Sequence, residues 1–128
     1  MTEVGRLTKR SEFLAARRGR RLNGPYFFVE TRVRDDEEQA RFGLTVTKKV
    51  GNAVVRNRIK RRLREAIRVA AGSEMKNGVD YVIVARRDVL DVAFETLKDE
   101  LSRRFSRIDP AKSGPSRKQR TGAPASEV

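Results

Sequence analysis

The chain has 128 residues, a formal net charge of +13, no Cys and no His, with 38% hydrophobic and 37% charged residues. That is one domain's worth of chain with a small core for its length, so part of it is expected to stay unfolded or to be stabilised by a partner. Without Cys there are no disulfides and no thiolate chemistry, and without His the commonest general base and metal ligand are missing, which argues against a self-sufficient protein enzyme.

Residues 1–8 read as a short polar lead. Ser11 is placed to cap a helix over 11–18, with Phe13 and Leu14 as its apolar contacts and Gly19 as its stop. Arg17, Arg18, Arg20 and Arg21 make a basic cluster. After an Asn23-Gly24-Pro25 turn, Tyr26 to Val33 alternates as a strand. Phe27, Val29, Thr31 and Val33 face a core; Tyr26, Phe28, Glu30 and Arg32 face the other way. Asp35-Asp36-Glu37-Glu38 reads as an acidic turn rather than a catalytic carboxylate pair. Arg41 to Val50 is the partner strand, with Phe42, Leu44 and Val46 inward. Its outward face, Thr45, Thr47 and Lys49, is small, hydroxylic and cationic, which suits phosphates and sugars.

Gly51-Asn52 breaks that strand, and Asn52 can cap the helix that follows. Val55, Ile59, Leu63, Ala66 and Ala70 step by four, four, three and four, the spacing of one helical face. Asn57, Arg61, Arg64 and Arg68 fall opposite this stripe, Arg58 and Arg62 on one flank, Arg56 and Lys60 on the other. From Lys48 to Arg68 there are nine Lys or Arg and one Glu, so this stretch carries +8 of the +13. Like charges at i, i+4 repel by a few tenths of a kcal/mol each, and a helix that needed only solubility would mix signs. An external polyanion is therefore expected to neutralise this face. Arginine's planar fork holds two phosphate oxygens at once, and structured RNA offers phosphates in fixed geometry. A pI near 11.1 agrees.

Beyond the basic helix, Lys76-Asn77-Gly78 is a turn, and Tyr81 to Ala85 is a continuous apolar run expected of a strand covered on both faces. Asp91 is placed to cap a last helix whose Phe94, Leu97, Leu101, Phe105 and Ile108 share a face, and Asp109-Pro110 stops it. The order is helix, strands, basic helix, strand, helix. That makes an α+β fold, an α/β sandwich on one mixed sheet, with residues 1–108 as the domain and 109–128 as a disordered tail. No apolar run approaches the ~20 residues of a membrane span, and no signal-peptide core precedes the domain; the reading is cytoplasmic. Composition and helix pattern leave open a ribonucleoprotein-enzyme subunit, a ribosomal or assembly-factor RNA binder, and a DNA-compacting protein.

The motif separates these three. Phe42-Gly-Leu-Thr-Val-Thr-Lys-Lys-Val-Gly-Asn-Ala-Val-Val-Arg-Asn-Arg-Ile-Lys-Arg-Arg-Leu-Arg-Glu65 resembles the signature of the protein subunit of bacterial ribonuclease P, with Arg56-Asn57-Arg58 as that family's namesake element. The looser resemblance spans about residues 6–108. It implies a ribosomal-protein-like fold with a four-stranded type of sheet, three helices and a left-handed strand–helix–strand crossover, against the general right-handed rule. It implies a 1:1 complex with a catalytic RNA, in which the RNA cleaves the 5′ leader from precursor tRNA with Mg²⁺ held mainly by RNA, and no catalytic residue in the protein. Lys48, Asn52, Arg56, Asn57, Arg58, Lys60, Arg61, Arg62, Arg64 and Arg68 would face the RNA subunit. Phe13, Arg17, Tyr26, Phe28, Thr45, Thr47 and Lys49 would line the leader groove between the first helix and the sheet. The chain departs from the family where Ala16 or Arg17 replaces a second aromatic and Glu30 falls near a further one. Stacking is thus either reduced here or shifted to Tyr26 and Phe28.

Overall fold

The computed structural model describes residues 4–108. The elements are β1 (Gly5–Arg6), α1 (Arg10–Arg17), β2 (Arg20–Asn23), β3 (Phe27–Val33), β4 (Arg41–Thr45), α2 (Ala53–Val69), β5 (Val79–Ala85) and α3 (Phe94–Ser106), with 3-10 turns at Lys48–Val50, Ala71–Glu74 and Arg87–Leu90. The sheet has five strands in the order β1-β4-β5-β3-β2. β1 and β5 both run parallel to β4, whereas β3 is antiparallel to β5 and to β2. The α+β class and three helices are as expected; the four-stranded expectation falls one strand short. Neither Gly5–Arg6 nor Arg20–Asn23 was anticipated as a strand. The tail over 109–128 and the Asp109-Pro110 stop lie outside the described residues.

Strand alternation sorts the two faces. On β5, Tyr81, Ile83 and Ala85 join the main core, together with Ile59, Leu63, Ala66 and Ile67 of α2 and Leu97, Leu101 and Phe105 of α3. Val82 points to the other face, where it meets Ala16 of α1 and Leu7, with Phe13 and Val84 against them. Hence α2 and α3 cover one face and α1 covers part of the other. Burial of β5 on both sides explains its unbroken apolar run. Burial also pushes the Tyr81 hydroxyl up to about 12, and the Lys76 amide donates to it at 2.8 Å. Arg104 anchors α3 to the sheet edge: its Nε donates to the Asn23 carbonyl at 3.0 Å.

Several boundaries move for identifiable reasons. Helix α1 is capped from Lys9, not Ser11; Ser11 lies inside the helix. Glu12 reaches back instead, its Oε1 accepting from the amides of Thr8 and Lys9 at 3.0 Å each, a carboxylate satisfying donors that the first turn leaves over. Strand β4 ends at Thr45 rather than continuing to Val50, because Lys48–Val50 turns into a 3-10 element. Helix α3 begins after Ala93, not at Asp91, whose place is taken by the end of the preceding 3-10 turn. The Lys76-Asn77-Gly78 turn is present, and Gly78 has φ of +79°. A side chain there is disfavoured twice over, since its Cβ would also meet the Asp36 carbonyl oxygen at 2.4 Å.

Candidate nucleic-acid interface

Helix α2 forms as its period requires. Asn52 caps it, accepting from the Val55 amide at 3.0 Å, and Ile59, Leu63, Ala66 and Ile67 are buried. Half-buried Val55 completes the stripe, while Ala70 falls just past the helix end. The cationic side is not uniform. Arg62 does not face outward: Nη1 donates to the carbonyls of Val89 and Leu90 at 3.0 and 2.8 Å, and Nη2 to that of Val92 at 2.7 Å. Arg56 donates through Nε to the Gly51 carbonyl at 3.2 Å. Arg68 pairs with Glu65, which lowers the Glu65 pKa and raises that of Arg68. Asn57, Arg58 and Arg61 are exposed, and Lys60 and Arg64 are partly so. Among the described residues, Arg58, Lys60, Arg61 and Arg64 form no ion pair or side-chain hydrogen bond, so their charge is available. Lys48 and Lys49 stand exposed on the 3-10 turn before the helix.

Arg62→Met should therefore behave as a stability variant. It leaves three carbonyls without their donor and is expected to cost about 1–3 kcal/mol. Urea unfolding should show that loss, while the salt dependence of RNA binding stays as in the parent.

On the other face, strand register lines up Asn23, Phe28, Val84 and Thr45 side by side across four strands. Phe28, Val84 and Thr45 are half-exposed. Phe13 borders this row from α1, and its ring lies over Gly43: a Cβ at Gly43 would sit 2.5 Å from two ring atoms. Gly43→Ala should displace the ring or strain β4, costing about 1–3 kcal/mol as overpacking does. Thermal denaturation would read the cost. Arg17 is exposed in the last turn of α1.

Three of the expected groove residues sit elsewhere than the alternation implied. Tyr26 precedes β3 and is partly buried against the main core instead of continuing the Phe28 face. Thr47 and Lys49 have left the strand: Lys49 belongs to the 3-10 turn, and Thr47 is the residue from which that turn starts. Phe28 itself is covered by a guanidinium: Arg21 Cζ is 3.6 Å from its ring centroid and Arg86 Cζ is 5.9 Å away.

An ionic cluster braces α1 against the sheet. Asp80 on β5 is fully buried. Arg41 donates to it bidentately through Nε and Nη2, each at 2.9 Å, and through Nη1 to Glu12 at 3.0 Å. Arg34 reaches the same Asp80 carboxylate and also Asp36 in the acidic turn. Asp80 holds the Arg41 pKa above its usual value. The Lys9 and Thr8 amides, aided by Arg41, hold Glu12 below the ordinary carboxylate range. The acidic turn is thus a latch for Arg34, a role its exposed composition does not announce. Asp80 was missed as well, being one carboxylate at the start of an apolar run.

The chain as a whole, three helices on a mixed sheet with a cationic α2, has known counterparts in sequence and fold. The Ribonuclease P family model matches residues 1–109. The chain belongs to the bacterial ribonuclease P protein family. A ribonuclease P protein component from Brucella suis is 48% identical over 124 residues, covering 91% of this chain and 88% of the relative. The solved ribonuclease P protein of Staphylococcus aureus is similar with a TM-score of 0.67 at 30% identity, covering 84% of this chain and 94% of that one. That of Thermotoga maritima gives a TM-score of 0.67 at 30% identity, covering 78% and 93%. Membership of this family implies an RNA subunit as partner in a ribonucleoprotein endoribonuclease of tRNA processing. No helix among the described residues is long and apolar enough to cross a membrane.

Proposed function

We propose that this ribonuclease P protein binds the catalytic RNA through the outward face of α2 and the 5′ leader of precursor tRNA through the sheet face beside α1. The RNA would then hydrolyse the phosphodiester bond and release the mature tRNA 5′ end. The observation that carries this reading is that Arg58, Lys60, Arg61 and Arg64 have no carboxylate partner among the described residues. Such a cationic face costs self-repulsion and is relieved by a dense phosphate array.

The protein's part is positioning and screening. Guanidinium forks on α2 engage phosphates of the folded RNA. Phe13 and the Phe28 row, with Thr45 beside them, offer stacking and hydroxyl contacts to unpaired nucleotides. Mg²⁺ would be held mainly by the RNA, as the resemblance of the Phe42–Glu65 stretch implies.

Reconstitution tests the reading. Mixed with a bacterial ribonuclease P RNA at low Mg²⁺, the protein should raise cleavage of precursor tRNA well above the RNA alone. No gain over RNA alone, under conditions where a known ribonuclease P protein gives one, refutes it.

A further inference from the structure

We infer that Arg21, seated on Phe28 and flanked by Arg86, is the surface on which an unpaired nucleobase of the leader stacks, with Phe28 as its pedestal. This rests on the reading of the sheet face as the leader site. Phe28 is half-exposed, but one side of its ring is occupied by the Arg21 guanidinium, 3.6 Å from the centroid. A base arriving on that side meets the guanidinium first. A planar, delocalised cation stacks on an aromatic face beneath it and presents its own second face outward, and unpaired bases lie on Arg planes as they do on aromatic rings.

The side chain is held where this requires it. Arg21 lies opposite Glu30 and Asn23 opposite Phe28 in the β2–β3 register, so Arg21 reaches the ring along the diagonal, a distance that long side chains span. Its Nε donates to Asn23 Oδ1 at 3.1 Å. Arg86, 5.9 Å from the same ring, donates through Nη1 to the Gly24 carbonyl at 2.6 Å. Its other nitrogens remain for a phosphate next to the stacked base. Glu30 shares this face, yet among the described residues neither Arg21 nor Arg86 forms an ion pair.

The test uses holoenzyme reconstituted from the full chain and a bacterial ribonuclease P RNA. Dissociation constants are measured for precursor tRNAs carrying a single abasic leader position, moved one nucleotide at a time, and for mature tRNA. In the parent holoenzyme, one or two adjacent abasic positions should weaken binding about tenfold. In Arg21→Ala the same positions should matter less than about twofold, and Arg21→Lys should match Arg21→Ala, because an ammonium keeps the charge without the plane. Phe28→Leu should follow them if the pedestal orients the guanidinium; circular dichroism of each variant checks that the fold is kept. An Arg21→Ala holoenzyme that keeps the full abasic penalty makes bare Phe28 the stacking surface and overturns the inference. So does an Arg21→Lys holoenzyme that behaves as the parent. A parent holoenzyme that binds leader-bearing and mature tRNA equally overturns the leader reading itself, which distinguishes the two failures.

Discussion

Asp80→Asn is expected to lower stability by about 3 kcal/mol, the scale on which removing one member of a buried ion pair acts. Asp80 is fully buried and takes charge-assisted hydrogen bonds from both Arg34 and Arg41. A neutral amide has one acceptor oxygen, and its NH₂ would face guanidinium donors. Each arginine keeps a secondary partner, Asp36 for Arg34 and Glu12 for Arg41, so the loss should fall at the lower end of that class. The melting temperature of a domain this size should drop on the order of 10–20 °C. A loss below about 1 kcal/mol by urea unfolding would mean that water or the remaining partners replace Asp80 completely, and the brace under α1 would have to be sought elsewhere.

The second large effect concerns binding. Arg58→Ala combined with Arg61→Ala removes two outward guanidinium groups that have no partner among the described residues. Each phosphate contact contributes about 0.7–0.9 to the slope of log affinity against log salt. The double variant should therefore bind the RNA subunit with a slope shallower by roughly 1.5, and near 0.1 M salt with affinity lower by roughly thirty- to sixty-fold. Filter binding across a salt series measures both. The melting temperature should hold or rise, because like-charge repulsion along the helix is relieved. A double variant with parental slope would remove these residues from the RNA contact. The contrast with Arg62→Met, where stability falls and the slope holds, separates outward arginines from the internal one.

That contrast also marks what the sequence made legible. The 3.6-residue period of α2 holds from Val55 to Ala66 because burial of one aliphatic stripe decides the helix wherever it docks. On a helical wheel, however, Arg58 and Arg62 share a flank. Only the path of residues 89–92, brought alongside by tertiary folding, turns Arg62 inward. β2 has a single buried side chain, Leu22, among Arg20, Arg21 and Asn23, so no alternation announces it. Without β2 the seating of Arg21 on Phe28 is invisible. β1 is two residues long and exists because β4 offers it an edge. Asp80 reads as a strand-edge polar residue until Arg34 and Arg41, some 40 positions away in the chain, converge on it. Tyr26 left its expected face because β3 begins one residue later than its alternation implied.

The strand order has a temporal consequence. β5 lies between β4 and β3, so the two earlier strands cannot join until the last one slides between them. While the chain emerges from the ribosome, the cationic helix is made before the platform meant to shield its aliphatic back is complete. Such non-local closure slows folding and leaves apolar surface open in the interval. A nascent chain halted before Val79 would thus expose its cationic segment in an unassembled state, and a polyanion already at hand would act on it as a template.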